Sequence, residues 1–425
     1  MEKKIFTVAI IGVGARGGDV YGPLISEKPD CFKIVALCDL RQERLDRFGK
    51  VFGVPETALF DTEEEFFKEK RADLLVVATP DKCHVRHCIK GFELGYHIMT
   101  EKPLTDNREH CEALLSAQKK AGTHALVCHV LRYAPAFVRA KEILKSGQLG
   151  QLVAINALER VAFRHQSHSY VRGNWRTTEE PCGSAPMILA KCCHDLDLLQ
   201  WYANSTCQSV SSIGDLVYFK KENEPEYATD YCLDCKECKT CAYSAWRAYV
   251  DAWRWNDCPT DRWPYNVVAP APLTEEKLLK AIDKTPYGRC VFRCDNNVVD
   301  HQFTSMTFTN GVKASLLMTA FTRDGGRRIH FHCTLGEMIL EEQTNTLTVS
   351  RFGLPDIETI DLSGLDDKGY GHGGGDARLV DALYDMLTGN ASQETSFTAS
   401  VESHLMGICA EESRLKNGEL IYIHK

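Results

Sequence analysis

The chain has 425 residues, more than one compact core accommodates, so two domains are expected. Its 44% apolar and 25% charged content is ordinary for a globular protein, and a net charge of −8 leaves no basic footprint for nucleic acid. No window approaches the roughly 20 apolar residues of a membrane span, the N-terminus runs straight into a strand instead of a secretion signal, and nineteen cysteines without a leader fit a reducing cytoplasm.

The apolar run 7–11 reads as a buried parallel strand, followed by Gly12-Val13-Gly14-Ala15-Arg16-Gly17. A second strand, 33–38, ends in Asp39, 22 residues past Gly17. In a strand-turn-helix-strand-acid unit, Gly12 allows the tight turn and Gly14 lets backbone approach a pyrophosphate. Gly17 allows close helix packing, and Asp39 accepts from an adenosine ribose. A 2′-phosphate would be repelled by Asp39, so NAD is favoured; Arg41, two residues on, offers the opposite reading of NADP. The run 73–78 reads as another buried strand ending in Thr79-Pro80, with His84 on the next helix. Glu101-Lys102-Pro103 follows a further strand, which sets Lys102 in the crevice at the strand ends. The Lys102-Pro103 bond is a candidate for cis. Residues 124–130 read as the last strand of a domain spanning 1–130.

From 131 to 425 the pattern changes. Runs at 209–219, 299–309, 312–321, 327–334 and 337–341 alternate in period 2, as half-buried antiparallel strands do. Helical runs are expected at 376–387 and 397–416. The insertion 220–300 carries Cys232, Cys235, Cys238 and Cys241 at regular spacing, with Cys258, Cys290 and Cys294 nearby. Paired thiolates at this spacing suit structural zinc; unmetallated thiols and an iron–sulfur cluster are the alternatives, though no proline follows the last cysteine.

The glycine turn, Thr79-Pro80 with His84, Glu101-Lys102-Pro103 and His194-Asp195-Leu196-Asp197 together resemble the Gfo/Idh/MocA (glucose-fructose oxidoreductase / inositol dehydrogenase) family. The resemblance is strong over 1–200, weak through 220–300 and loose beyond. It implies an N-terminal Rossmann domain and a C-terminal α/β domain with an open, mostly antiparallel sheet, whose outer face forms a homo-oligomer (dimer or tetramer). It implies an NAD-dependent oxidoreductase acting on a secondary hydroxyl of a sugar, cyclitol or sugar acid. An NAD-dependent redox glycosidase and a non-catalytic dinucleotide-binding regulator are the alternatives. Lys102 and His194 are the implied catalytic pair, and Trp175 and Arg176 match a cofactor-side pair. Tyr133 matches a substrate-lining tyrosine, with Asp195, His165 and His372 as further substrate candidates.

One departure stands out. Many members carry an Asp four residues before the His; here it is Ala190, followed by Lys191. Either Lys191 joins Lys102 in a doubly cationic pocket, or it points away and pairs with Asp195.

Overall fold

The computed structural model describes residues 4–179, 183–365, 371–390 and 396–424. Six strands form the first sheet: β1 (Phe6–Ile11), β2 (Phe32–Cys38), β3 (Leu59–Phe60), β4 (Leu74–Val77), β5 (His97–Thr100) and β6 (Ala125–Val127). They are all parallel, in the order β3-β2-β1-β4-β5-β6. This is the complete doubly wound order with the reversal between β1 and β4, so the crevice opens where Gly12 follows β1 and Ala78 follows β4. The strands read as continuous apolar runs because helices cover both faces: Val8 and Ile10 point into one core, Ala9 and Ile11 into the other.

Nine strands form the second sheet. They are β7 (Leu152–Arg160), β8 (Cys207–Asp215), β9 (His301–Phe308), β10 (Lys313–Thr319), β11 (Gly326–Cys333), β12 (Gly336–Glu341), β13 (Thr346–Arg351), β14 (Ile357–Asp361) and β15 (Ile421–Tyr422). Their order is β14-β13-β12-β11-β7-β10-β9-β8-β15, antiparallel except for β7 against β10. Alternation is clean: Ala314, Leu316 and Met318 pack inward, while Ser315 and Leu317 face outward. The helices Cys193–Ala203 and Phe397–Leu415 cover the inner face. The expected β-rich second region is therefore present. Sequence reading missed β13, β14 and β15; β14 has almost no buried residue and β15 only two residues, so neither carries a core pattern.

The helix Gly375–Leu387 returns to the first sheet. Ala377, Leu379, Val380 and Leu383 enter the same core as Val8 and Met99. The insertion between β8 and β9 has its own small core around Tyr249, Leu278 and Ile282. No helix among the described residues is long and apolar enough to cross a membrane.

Candidate active site

Local packing accounts for two of the three glycines in the first turn. Gly12 sits at φ +88°, and a Cβ there would lie 2.5 Å from the Ala78 carbonyl oxygen; one on Gly17 would lie 2.1 Å from the Gly12 oxygen. Gly14 differs. A Cβ there would meet only the flexible Arg44 guanidinium, at 3.2 Å. Its bare backbone is not needed to pack the protein and is what an approaching pyrophosphate needs. Asp39 ends β2 and accepts from the Arg41 backbone N–H at 3.0 Å. The Arg41 side chain is exposed; the cation at Asp39 is Arg44, 3.4 Å away. This revises the sequence reading, which missed Arg44 because it lies inside an amphipathic helix. The residues fit a bound dinucleotide.

The remaining cofactor-side candidates are largely locked to one another. The Arg16 guanidinium donates to Glu101 and to Asp376, both at 2.6 Å, and to the Tyr21 hydroxyl. Burial alone would raise the Glu101 carboxyl, but Arg16 and Lys102 outweigh it and hold it below its ordinary value. His84 is buried with one ring nitrogen 2.7 Å from the Pro103 carbonyl and the other 2.8 Å from the Thr79 carbonyl. It is a strut that fixes the Thr79-Pro80 loop against the Lys102 turn, with no ring nitrogen left for a ligand. Ala15 lies in the glycine turn beside Arg16. Trp175 is exposed, and the Arg176 guanidinium is taken up by Asp295 of the insertion at 3.0 and 3.1 Å.

Lys102 follows β5, and its peptide bond to Pro103 is cis. Its Nζ donates to the Ala190 carbonyl at 2.9 Å. The position that lacks the family carboxylate thus contacts the lysine through its backbone. His194 opens the helix Cys193–Ala203, buried, with Nδ1 lacking a hydrogen-bond partner among the described residues. Burial, then the charges of Lys102 and His372, hold its pKa well below the ordinary histidine value, so the ring is a neutral proton acceptor. The His372 ring lies 5.8 Å from it. His372 is at φ +55°, a left-handed conformation rare for a side-chain-bearing residue, and its Nδ1 is 2.9 Å from Asp376. Asp376 is fully buried; burial would raise it, but His372 and Arg16 outweigh that and keep it ionised. A carboxylate–histidine pair therefore stands beside His194 after all, assembled from a turn nearly 180 residues later in the chain.

Lys191 follows neither expected course. Its Nζ pairs with buried Glu159 at 3.1 Å. Glu159 also holds Arg327 at 3.0 Å, and Arg327 holds Asp195 at 2.8 Å. Asp195 is thus removed from the list of substrate contacts: its carboxylate is sealed against Arg327. Neither Glu159 nor Arg327 was legible, since each sits in a period-2 strand as an apparent lapse in the pattern. Tyr133 lines a cleft of 610 Å³ with Arg132, Trp201 and Met386.

Burial, then the charges of Lys191, His168 and Lys102, hold the His165 pKa well below the ordinary value. Trp263 of the insertion packs edge-on against the His165 ring at 4.9 Å. His168 instead turns into the insertion, with Nδ1 3.0 Å from the Tyr249 hydroxyl and its ring stacked on Tyr287. Cys232, Cys235, Cys238 and Cys241 line one small apolar cavity together with Cys290. Every described cysteine is free of disulfide. Only His330, His332 and Glu337, on the outer face of the second sheet, bring three ligand atoms within 4.8 Å of one another among the described residues. The insertion sulfurs stand wider.

Comparison with known proteins agrees with this geometry. Residues 6–129 match the model of the Gfo/Idh/MocA oxidoreductase family, NAD-binding Rossmann fold, and residues 137–255 match a C-terminal domain of the same family. Together they span more than half of the chain. The oxidoreductase YteT of Bacillus subtilis is 21% identical over 97% of this chain and 98% of its own length. The scyllo-inositol 2-dehydrogenase (NADP(+)) IolW of the same bacterium is 27% identical over 42% of this chain and 47% of its own length. A solved levoglucosan dehydrogenase, in complex with NADH and levoglucosan, superposes with TM-score 0.71 at 17% identity, covering 99% of this chain and all of the other.

Proposed function

We infer that this chain, which belongs to the Gfo/Idh/MocA family of NAD(P)-dependent oxidoreductases, oxidises a secondary hydroxyl of a sugar, cyclitol or sugar acid. The observation that carries this reading is Lys102 held at Ala190 with the His194 and His372 rings beside it, at the strand ends where the glycine turn opens. Inositol, levoglucosan and UDP-sugar enzymes among its relatives support the substrate class.

The bound dinucleotide supplies the hydride acceptor. Lys102 donates to the reacting hydroxyl oxygen and orients it, at the expense of its bond to Ala190. Neutral His194 takes the hydroxyl proton, which becomes more acidic as the hydride leaves the carbon. His372, backed by ionised Asp376, accepts the proton from His194 or from a bridging water and releases it to solvent. In this reading the His372–Asp376 pair does what the absent carboxylate before His194 does elsewhere. His165 and Trp263 form the opposite wall, where an aromatic edge suits a sugar face.

We assign NAD as the preferred cofactor because Asp39 meets the ribose end. Arg44 beside it keeps NADP accessible, as the NADP(+) specificity in the name of the IolW relative illustrates. Zinc at the insertion cysteines, a cytoplasmic location and a homo-oligomer joined through the outer face of the second sheet complete the reading. Exposed Phe303 and Ile213 on that face support the last. A screen of sugars, cyclitols and sugar acids for NADH formation tests the central assignment. A Lys102→Ala enzyme that still turns over the responding substrate would overturn it, and glycoside cleavage with no net NADH would move the enzyme to the redox-glycosidase alternative.

A further inference from the structure

Arg172 is 2% exposed, yet no carboxylate pairs with it among the described residues. Its Nε donates to the Arg289 carbonyl and Nη2 to the Tyr243 carbonyl, each at 2.7 Å; Nη2 also lies 3.7 Å from Cys232 Sγ, and Nη1 has no partner. A buried guanidinium left with carbonyls alone is costly, because its charge has lost water and gained no counter-ion. The groups within reach that can carry negative charge are Cys232, Cys294 and the Tyr249 hydroxyl, and of these Cys232 lines the adjoining cavity. Cys232, Cys235, Cys238 and Cys241 enter it from one segment and Cys290 from another. Backbone N–H groups of Trp246 and Phe292 donate to the Cys238 and Cys290 sulfurs. Cys258 is exposed and Cys294 turns to the Cys290 carbonyl, so neither belongs to the set.

Arg172 is also the last residue of a wide i→i+5 helical turn, Gln166–Arg172, that begins directly after His165. One end of this short segment touches Cys232; the other faces Lys102 and Lys191.

We propose that the five-cysteine cavity is a thiolate zinc centre with Cys290 as a ligand and Arg172 as its counter-cation, and that zinc occupancy fixes the 165–172 segment and so the His165 wall of the substrate pocket. The inference rests on the structural-zinc reading above and extends it to charge and position. Four thiolates on Zn²⁺ leave two negative charges, and Arg172 offsets one of them in an apolar site. Tetrahedral zinc at about 2.3 Å from each sulfur holds the sulfurs about 3.8 Å apart. No three of these sulfurs lie within 4.8 Å of one another here, so binding draws the cysteines together and pulls on Arg172 through its contact with Cys232.

The test uses the full chain, stripped with a chelator and reloaded with Zn²⁺ or, as a spectroscopic probe, Co²⁺. Zinc near one per chain, a thiolate-to-cobalt charge-transfer band that weakens in Cys290→Ser, and loss of amide-exchange protection across 163–172 on stripping are expected. Arg172→Met should weaken Zn²⁺ binding about 10–100-fold, with Arg172→Lys recovering part of it. A chain with no metal, or iron with acid-labile sulfide in place of zinc, overturns the zinc reading itself. Zinc bound with wild-type protection at 163–172 after stripping, or an Arg172→Met protein of unchanged zinc affinity, overturns the coupling alone. The exchange comparison needs no variant and stands even where Arg172→Met does not fold.

Discussion

Two charged networks flank Lys102, and they are built from the same residue types to different ends. Arg16, Glu101, Asp376 and His372 form one; Lys191, Glu159, Arg327 and Asp195 form the other. In the first, a fully buried carboxylate backs a histidine whose side chain is 40% exposed toward the crevice. In the second, every carboxylate is buried and its partners close on one another, so the charges balance internally. Burial raises the Asp195 pKa against the pull of Arg327, which shows how fully that acid has been withdrawn from water. A titratable group serves chemistry only when one face of its network is left open. The second network positions the Cys193–Ala203 helix; the first can exchange a proton.

The sharpest way to break this contrast is at the shared neighbour. Lys102→Ala should lower turnover by on the order of 10³, with NAD affinity nearly unchanged by calorimetry. A comparable loss of NAD binding would make Lys102 a cofactor ligand only. Next comes the closed network. Arg327→Met leaves buried Asp195 without its cation and Glu159 with Lys191 alone, and should cost about 3–5 kcal/mol in denaturant unfolding. Activity per folded molecule should survive, and a stable but inactive Arg327→Met enzyme would place this network in catalysis. In the open network, His372→Asn should reduce turnover about 10²-fold with little change in stability.

A smaller effect, outside both networks, lies in the pH dependence of stability. Buried His129 and His404 are held neutral by burial, with pKa values lowered to about 4 and about 3. The unfolded chain protonates them near 6.5, so their stability is fully present above that pH. It is lost as pH falls toward 4, at up to about 1.4 kcal/mol per pH unit for each. Urea midpoints at pH 7 and pH 5 check this, and equal midpoints would contradict it. The smallest effect is at the cofactor mouth. Asp39→Ser should shift preference toward NADP by about 1 kcal/mol or less, since the released Arg44 is partly solvated.

What sequence revealed about these networks was uneven for a physical reason. Gly12, Gly14 and Gly17, and Lys102 at the end of β5, are local: strand, turn and helix succeed one another within a few residues. The alternation of β9 to β12 is also local, while the single open sheet was implied by the family resemblance. Asp376 reaching Arg16 spans 360 residues, and Arg327 reaching Asp195 spans 132. No periodicity encodes such a pair; both partners read as isolated charges. The same limit hid Trp263, one of six tryptophans and the one that meets His165.

The return of Gly375–Leu387 to the first sheet bears on how the chain is made. A ribosome releases the six parallel strands early, but the helix that supplies Ala377, Leu379, Val380 and Leu383 to their core emerges only after the whole second sheet except β15. Until then the nascent nucleotide-binding half exposes apolar surface where that helix will sit, and lacks Asp376 for Arg16 and Asp381 for Lys28. Vectorial synthesis therefore cannot finish the first domain first. Completion of either half waits on the other, and a chain truncated before residue 371 should be held by chaperones or degraded instead of accumulating as a free dinucleotide-binding fragment.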